Sequence, residues 1–322
     1  MRNLAVNPFL MRSWMLACKV LCIVVMLVGC HLPARLFGGG VDDHQGNAWA
    51  VWALDGEDLG WHIGGNLYDR EGNEYLVGEK IASLASYPAG NELLVLSGRD
   101  HVRAGGYYNY PTTEVYLWDL RTRSFRRLTD DRLLERSPAT TQSGRFVSFF
   151  RATRYLDTWL AWPWTDWVLV LLDVQRGEET IWDLFEYSGE VIRGAAIHPD
   201  ESCIVISIDE QLFIANRMPL EVRSMEVAGS WPVFSEDGSI LAYASRTPKR
   251  FPTWDLHVAG FVRGDLVDRR LLAEGLRRPI AFSGDVLLCE EEERGDQHMS
   301  IIEVVLPSGT RERLATYRAS DS

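Results

Sequence analysis

Three stretches of this 322-residue chain set planar rings beside positive charge. The first, 98–113, holds Arg99, His101, Arg103, Tyr107, Tyr108 and Tyr110. The second, 151–166, holds Arg151, Arg154, Tyr155, Trp159, Trp162 and Trp164, and the third, 246–253, holds Arg246, Lys249, Arg250 and Phe251. Rings beside guanidinium groups offer large contact area and directional donors at little cost in side-chain freedom, which is the composition of recognition hot spots. The chemistry they point to is binding. A competing reading leaves the same tryptophans folded down as a lid that buries its own rings, with the arginines stacked on them. Loops this long in compact domains are functional or disordered, and the ring content argues against disorder.

Catalysis has no comparable signature. The sequence lacks a Gly-x-Ser-x-Gly elbow, a Gly-x-Gly-x-x-Gly turn, a P-loop and a His-Glu-x-x-His pair. Its seven histidines (His31, His44, His62, His101, His198, His257 and His298) show no ligand spacing, so they read as structural or solvated. Glu290 to Glu293 with Asp296 supply oxygen ligands, but a calcium loop must turn its carboxylates inward around one ion. They read as a solvated acidic loop between two strands. No catalytic residue, metal or cofactor is expected.

The elements that must carry these stretches are short strands in a repeating order. Trp231 to Ser235 is an apolar run, Glu236-Asp237-Gly238 supplies turn residues, and Ile240 to Ala244 is rich in strand formers. Asp255 to Val258 and Val267 to Leu272, joined at Arg263-Gly264-Asp265, complete a set of four. Outer hairpins of the same kind recur at Asn66–Glu79, Val115–Leu128, Val168–Trp182, Leu212–Val227 and Ser300–Ala315, roughly 43 to 55 residues apart, near the length of a four-stranded blade. Small or apolar runs precede the inner turns at Ala82 to Tyr87, Ser137 to Thr141, Gly194 to His198 and Pro279 to Phe282. The expected fold is all-β, a β-propeller of six four-stranded blades, with five or seven also compatible. Ala48 to Leu54 is expected to give the first blade only one inner strand. Trp118, Trp182, Trp231 and Trp254 fall within strand patterns and are expected in the core between blades. In such a blade the connections from second to third strand leave from the face of the blade-to-blade crossings, so the three ring-rich stretches belong on one rim.

Pro232-Val233-Phe234-Ser235-Glu236-Asp237-Gly238, Val115 to Leu120 followed by Arg126-Arg127-Leu128-Thr129-Asp130, and Ser137-Pro138 ahead of Ser143-Gly144-Arg145 resemble the WD40-like PD40 repeats of TolB-type propellers. The resemblance covers about Ala48 to Tyr317 and implies a partner that is another envelope protein or a peptide segment entering the central funnel. Similar propellers also precede hydrolase domains, and beyond Tyr317 the sequence offers no room for one. Others are lyases and glycosidases of sugar polymers, which keeps an enzyme or sugar binder as the alternative.

The amino terminus reads separately. Arg2, Arg12 and Lys19 precede the apolar run Val20 to Leu27, shorter than a membrane span needs. Leu27-Val28-Gly29-Cys30 resembles a bacterial lipobox, so 1–29 reads as a lipoprotein signal peptide, Cys30 as the lipidated residue in a flexible tether over 30–47, and 48–322 as the propeller. His31 is not the aspartate associated with inner-membrane retention, so the periplasmic side of an outer membrane, or the cell surface, is the expected residence. Cleavage removes three basic residues and moves the formal charge from -12 to -15, which argues against nucleic acid. Cys203 and Cys289 fall two blades apart and are expected unpaired and buried.

Overall fold

A strand covered on both faces must be apolar on both, whereas an edge strand need not be. The repeats obey this: Cys203–Ile208 is buried at every position, while Glu221–Ala228, two strands further out, is mostly exposed. The computed structural model describes residues from Trp49 to Arg318, apart from connections of which the longer are 69–73, 87–91, 98–112, 156–163, 187–191, 248–252 and 293–297. The signal segment, Cys30 and the tether lie outside the described residues.

Among the described residues, six antiparallel four-stranded sheets follow one another in a ring, each built from consecutive strands. The first contains β1 (Trp49–Ala53), β2 (Asp58–Ile63), β3 (Asn66–Tyr68) and β4 (Glu74–Leu76). The second contains β5 (Ile81–Ser86), β6 (Glu92–Ser97), β7 (Glu114–Asp119) and β8 (Ser124–Arg127). The third contains β9 (Leu134–Thr140), β10 (Phe146–Tyr155), β11 (Trp164–Asp173) and β12 (Glu178–Asp183). The fourth contains β13 (Ile192–Ile197), β14 (Cys203–Ile208), β15 (Gln211–Asn216) and β16 (Glu221–Ala228). The fifth contains β17 (Ser230–Phe234), β18 (Ile240–Arg246), β19 (Trp254–Val262) and β20 (Asp265–Glu274). The sixth contains β21 (Leu276–Ser283), β22 (Val286–Glu292), β23 (His298–Val305) and β24 (Thr310–Arg318). First strands of successive sheets neighbour one another from β1 through β21, which puts them innermost. The architecture is a β-propeller.

The apolar clusters lie between blades. Leu94, Leu96, Val115 and Leu117 of the second pack on Val147, Phe149, Val168 and Val170 of the third. Phe150, Leu169 and Trp182 of the third meet Ile204, Ile206 and Phe213 of the fourth. Phe234, Leu241 and Tyr243 of the fifth meet Val205 and Leu212 of the fourth, and Leu256 and Val258 meet Leu287 and Ile302 of the sixth. Blades two to six therefore need their neighbours to bury their faces.

One end of the ring is stitched by the inner turns. The turns at Thr141, His198 and Ser235 share one hydrogen-bond pattern: Gly144 N, Glu201 N and Gly238 N donate back to their carbonyls at 2.9, 2.8 and 2.9 Å. Each turn then holds the next: Ser143 Oγ donates to Glu201 Oε1 at 2.8 Å, His198 Nε2 lies 3.3 Å from Gly238 O, and Gly284 N donates to Glu236 Oε1 at 3.4 Å. Asp237 accepts from Ser239 N and from the Ser235 and Ser239 hydroxyls, bonds that pull its carboxyl down to about 2.

Two expectations change. Blade one has both inner strands, β1 and β2, paired Trp49↔His62 through Ala53↔Asp58. Leu59-Gly60-Trp61-His62 has no continuous apolar run, so its strand does not stand out in the sequence. Glu290, Glu291 and Glu292 are not loop residues; they end β22, with Glu290 buried and 3.9 Å from Arg278, and Glu291 paired with Arg313 at 3.3 Å. Trp118, Trp182 and Trp231 are buried core residues, as expected, and Trp254 is half-buried. Cys203 and Cys289 are free and buried.

Candidate functional site

The strand-crossing end of the ring is built from the starts of the innermost strands, the ends of second strands and the starts of third strands. Near these starts the innermost strands depart from regular pairing. The register shifts between Ile192 and Gly194, between Ser230 and Val233, and between Leu276 and Arg278. An extra residue at each bulge re-aims a side chain. The residues re-aimed are Arg193, Trp231 and Arg277. Trp231 is held at φ 51, a region costly for a bulky residue and kept only where its surroundings enforce it. Gly194 beside it takes φ 139, a backbone conformation that residues with a side chain rarely adopt.

These residues assemble a ladder of alternating guanidinium and indole groups. The Trp231 and Trp254 ring centroids are 4.7 Å apart at 61°. Arg193 Cζ lies 5.4 Å from the Trp231 centroid and 5.6 Å from that of Trp254. Arg246 covers Trp254 at 5.1 Å and Arg277 covers Trp231 at 5.8 Å. Glu210, between β14 and β15, pairs through one oxygen with Arg193 Nη2 at 3.5 Å and Arg246 Nε at 3.2 Å. Buried Trp231 and half-buried Trp254 thus lie where the fourth, fifth and sixth blades meet, with guanidinium groups against their rings.

A second cluster lies at the same end between the second and third blades. Arg151 Nε is 2.7 Å from Asp131 Oδ2, its Nη2 is 3.2 Å from Glu135 Oε1, and its Nη1 donates to Glu179 Oε2 at 2.8 Å. The Thr129 hydroxyl accepts from Val115 N and donates to Glu135 Oε2 at 2.8 Å. Arg127 Nη2 pairs with Glu114 Oε1 at 3.1 Å. Burial, reinforced by the neighbouring Asp131, pushes the Glu135 carboxyl up to about 8 against the opposing pull of Arg151. Asp131 is also raised, again chiefly by burial. Burial alone would lower the Arg151 guanidinium, but its bonds and the surrounding carboxylates outweigh that and raise it. Oxygens of Glu114, Asp131 and Glu135 lie within 4.8 Å of one another, close enough to share a cation. Guanidinium groups already hold all three of these carboxylates, and the Glu114 and Glu135 side chains have no exposed surface. The cluster is a buried structural network rather than an open acid–base pair.

The three ring-rich connections are anchored at this same end, at Ser97 and Glu114, Tyr155 and Trp164, and Arg246 and Trp254. Arg99, His101, Arg103, Tyr107, Tyr108, Tyr110, Trp159, Trp162, Lys249, Arg250 and Phe251 lie outside the described residues. Tyr155 and Trp164 pair at the tip of β10 and β11. Arg154, well exposed, sits 3.6 Å from Asp166 across that hairpin. Arg151, expected in the loop, is instead in β10 and buried among carboxylates, where it is not available to a partner. Arg246 ends β18 and joins the ladder. The sequence reading missed Arg193, Arg277, Glu210 and Glu135. It started inner strands at Gly194 and Pro279, just past the bulged residues, because a bulge interrupts the apolar pattern that marks a strand.

No family model and no curated protein matches the sequence. Solved structures do resemble the chain. TolB from Acinetobacter baumannii aligns with TM-score 0.58 and 15% identity, covering 85% of this chain and 63% of that one. The tricorn protease aligns with TM-score 0.51 and 12% identity, covering 85% and 30%. Oligogalacturonate lyase from Vibrio parahaemolyticus aligns with TM-score 0.50 and 12% identity, covering 83% and 92%. The chain thus spans less than two thirds of the TolB chain. What these likenesses establish is the fold, a TolB-like β-propeller.

Proposed function

We propose that this propeller is a non-enzymatic module that binds a protein or peptide segment across its strand-crossing face. In this reading lipidated Cys30 tethers it within the bacterial envelope, on the periplasmic side of an outer membrane or at the cell surface. The observation that carries the proposal is the β10–β11 hairpin. Its inner neighbour β9 pairs only as far as Ala152↔Leu134, and its outer neighbour β12 only as far as Val168↔Asp183. Pairing between β10 and β11 continues through Arg154↔Thr165 to Tyr155↔Trp164. The hairpin therefore stands clear of its own sheet on the face that also carries the guanidinium–indole ladder.

A second reading, action on a sugar polymer, draws on the likeness to oligogalacturonate lyase. Against it, the close carboxylate group of Glu114, Asp131 and Glu135 is bound by arginine, with Glu114 and Glu135 sealed from solvent. The test is the triple substitution Trp159→Ala, Trp162→Ala and Trp164→Ala in the full chain, read by quantitative crosslinking capture from native membranes alongside thermal unfolding. Loss of the captured partner with a Tm shift below about 2 °C is expected, the size of a surface change that leaves the core intact. A large drop in Tm, or capture equal to that of the parent chain, refutes it.

A further inference from the structure

We propose that a notch over the fourth blade, walled by raised hairpins of the third and fifth blades, seats the bound segment, and that this segment is a single extended stretch of polypeptide. The inference rests on the binding role proposed above and names the shape of the partner and the place where it lies. Three observations carry it. First, the fourth blade ends flush. β14 and β15 are joined by Asp209 and Glu210 alone, at φ 48 and 61, a tight hairpin turn with both residues left-handed. Ile208 pairs with Ile192 of the inner neighbour and Gln211 with Ala228 of the outer one, so only the turn rises above its sheet. The crossing into the fifth blade is Gly229 alone, its N–H donating to Glu210 O at 2.8 Å.

Second, both flanking hairpins rise. Pairing of β10 with β9 stops at Ala152, whereas its pairing with β11 runs on to Tyr155, and side chains change there from buried Ala152 to exposed Thr153 and Arg154. In the fifth blade β17 pairs only as far as Ala244, whereas β18 and β19 continue to Arg246↔Trp254, and Thr247 N then donates to Thr253 O at 2.8 Å. Three residues on each side, Thr153–Tyr155 and Ser245–Thr247, lift the hairpins by about 10 Å at roughly 3.3 Å per residue. Sheets packed about 10 Å apart set the two hairpins about 20 Å apart across the fourth blade. Side chains from both walls narrow that to the width of one extended chain, and an α-helix, about 10–12 Å across, would need the walls bare.

Third, the open lining is polar and of both signs. Arg154 continues the face that Phe150 and Ala152 turn toward the fourth blade, and Gln211 continues the face that Phe213 and Ala215 turn toward the third. Asp209, also exposed, tops the floor. Arg246 shares Glu210 and closes the fifth-blade corner, so Arg154, Asp209 and Gln211 are the groups that meet a ligand. They supply donors and acceptors of the kind that peptide groups pair with, and none is a ring on which a pyranose would stack.

The experiment places the photocrosslinking residue p-benzoylphenylalanine at Arg154, at Gln211 or, as a control on the outer strand of the third blade, at Ile181, in the full chain in native membranes, and maps the products by mass spectrometry. Arg154 and Gln211 should attach to one polypeptide, within about ten residues of each other and at alternate positions, as an extended chain presents them; Ile181 should not. That stretch is then made as a labelled synthetic peptide and its binding to the full chain read by fluorescence anisotropy. Arg154→Trp and Gln211→Trp, which fill the notch, should each weaken it by about tenfold or more with Tm shifted by less than about 2 °C, and Ile181→Trp should leave it within about twofold. Absence of products at Arg154 and Gln211, attachment at three- and four-residue spacing, a saccharide in place of a peptide, or unchanged binding by both filled variants overturns the proposal. Attachment within the chain itself, to 187–191 or to the tether over 30–47, shows a notch already occupied and overturns it too. The outcomes separate the two proposals. Native capture that depends on Trp159, Trp162 and Trp164 without crosslinks in the notch overturns only this inference. Crosslinks in the notch, together with capture insensitive to those tryptophans, overturn the loop-borne reading and support the notch.

Discussion

Replacing Glu135 by Gln should leave the protein nearly unchanged in mild acid and make it more stable in mild alkali. The side chain is fully buried and its carboxyl is raised from 4.5 to about 8, with burial as the main cause. Between those values the folded chain keeps a proton that the unfolded chain has released, so stability must fall as pH rises through the window. The contribution is intact below about pH 4.5 and gone above about pH 8. Each pH unit of difference is worth about 1.36 kcal/mol, which sets a ceiling of about 5 kcal/mol; coupling to Arg151 and Asp131 reduces it. Gln keeps the shape and the acceptor facing Arg151 but cannot ionise. Urea unfolding at pH 5, 7 and 9 is the assay. The variant should lie within about 1 kcal/mol of the parent at pH 5 and gain about 2–4 kcal/mol at pH 9 on the same reckoning. Asp131, raised for the same reason, leaves a weaker slope in the variant. A loss of about 3–5 kcal/mol at all three pH values would instead mark Glu135 as an ionised partner whose removal strands Arg151, and the argument from burial would be wrong.

Two further outcomes follow from the stitched end and the core. Gly238→Ala should cost about 2–4 kcal/mol in urea unfolding, from its φ of +73 and a Cβ placed 2.5 Å from His198 Nε2. Gly177→Ala, at φ +69 with open space around it, should cost only about 1 kcal/mol, and equal losses would show that the contact between turns is immaterial. Cys203, its thiol pushed up to about 11 by burial, and Cys289, raised for the same reason, should resist iodoacetamide at pH 8 in the folded chain. Both should label after denaturation, read by peptide mass spectrometry; labelling of either in the folded chain contradicts the packing.

The repeating strands and turns were legible along the chain because each blade is local. An apolar run, Asp237-Gly238 or Ser143-Gly144, and a second apolar run state a hairpin within a dozen residues, and the alternation of buried middle strands with exposed edge strands needs no distant information. The topology of a four-stranded blade then dictates which connections share an end, so the anchors of the three ring-rich stretches follow from strand order alone. Side-chain fate within those stretches did not follow. Arg151 carries the same composition signal as Arg154, yet one is buried by Glu135, Asp131 and Glu179 while the other faces solvent. The partners that decide between them come from other strands of the third blade and from the crossing that leads into it.

By itself, then, the sequence determined the blade repeat and the end of the ring at which the three ring-rich connections are anchored, since both depend on neighbours a few residues apart. The guanidinium–indole ladder was decided only in three dimensions. Its members are 193, 210, 231, 246, 254 and 277, separated by whole strands, and three of them sit at bulges where the strand pattern breaks. Packing of successive blades side by side is what brings such positions together, and the contact energy between them has no counterpart in the linear order of residues.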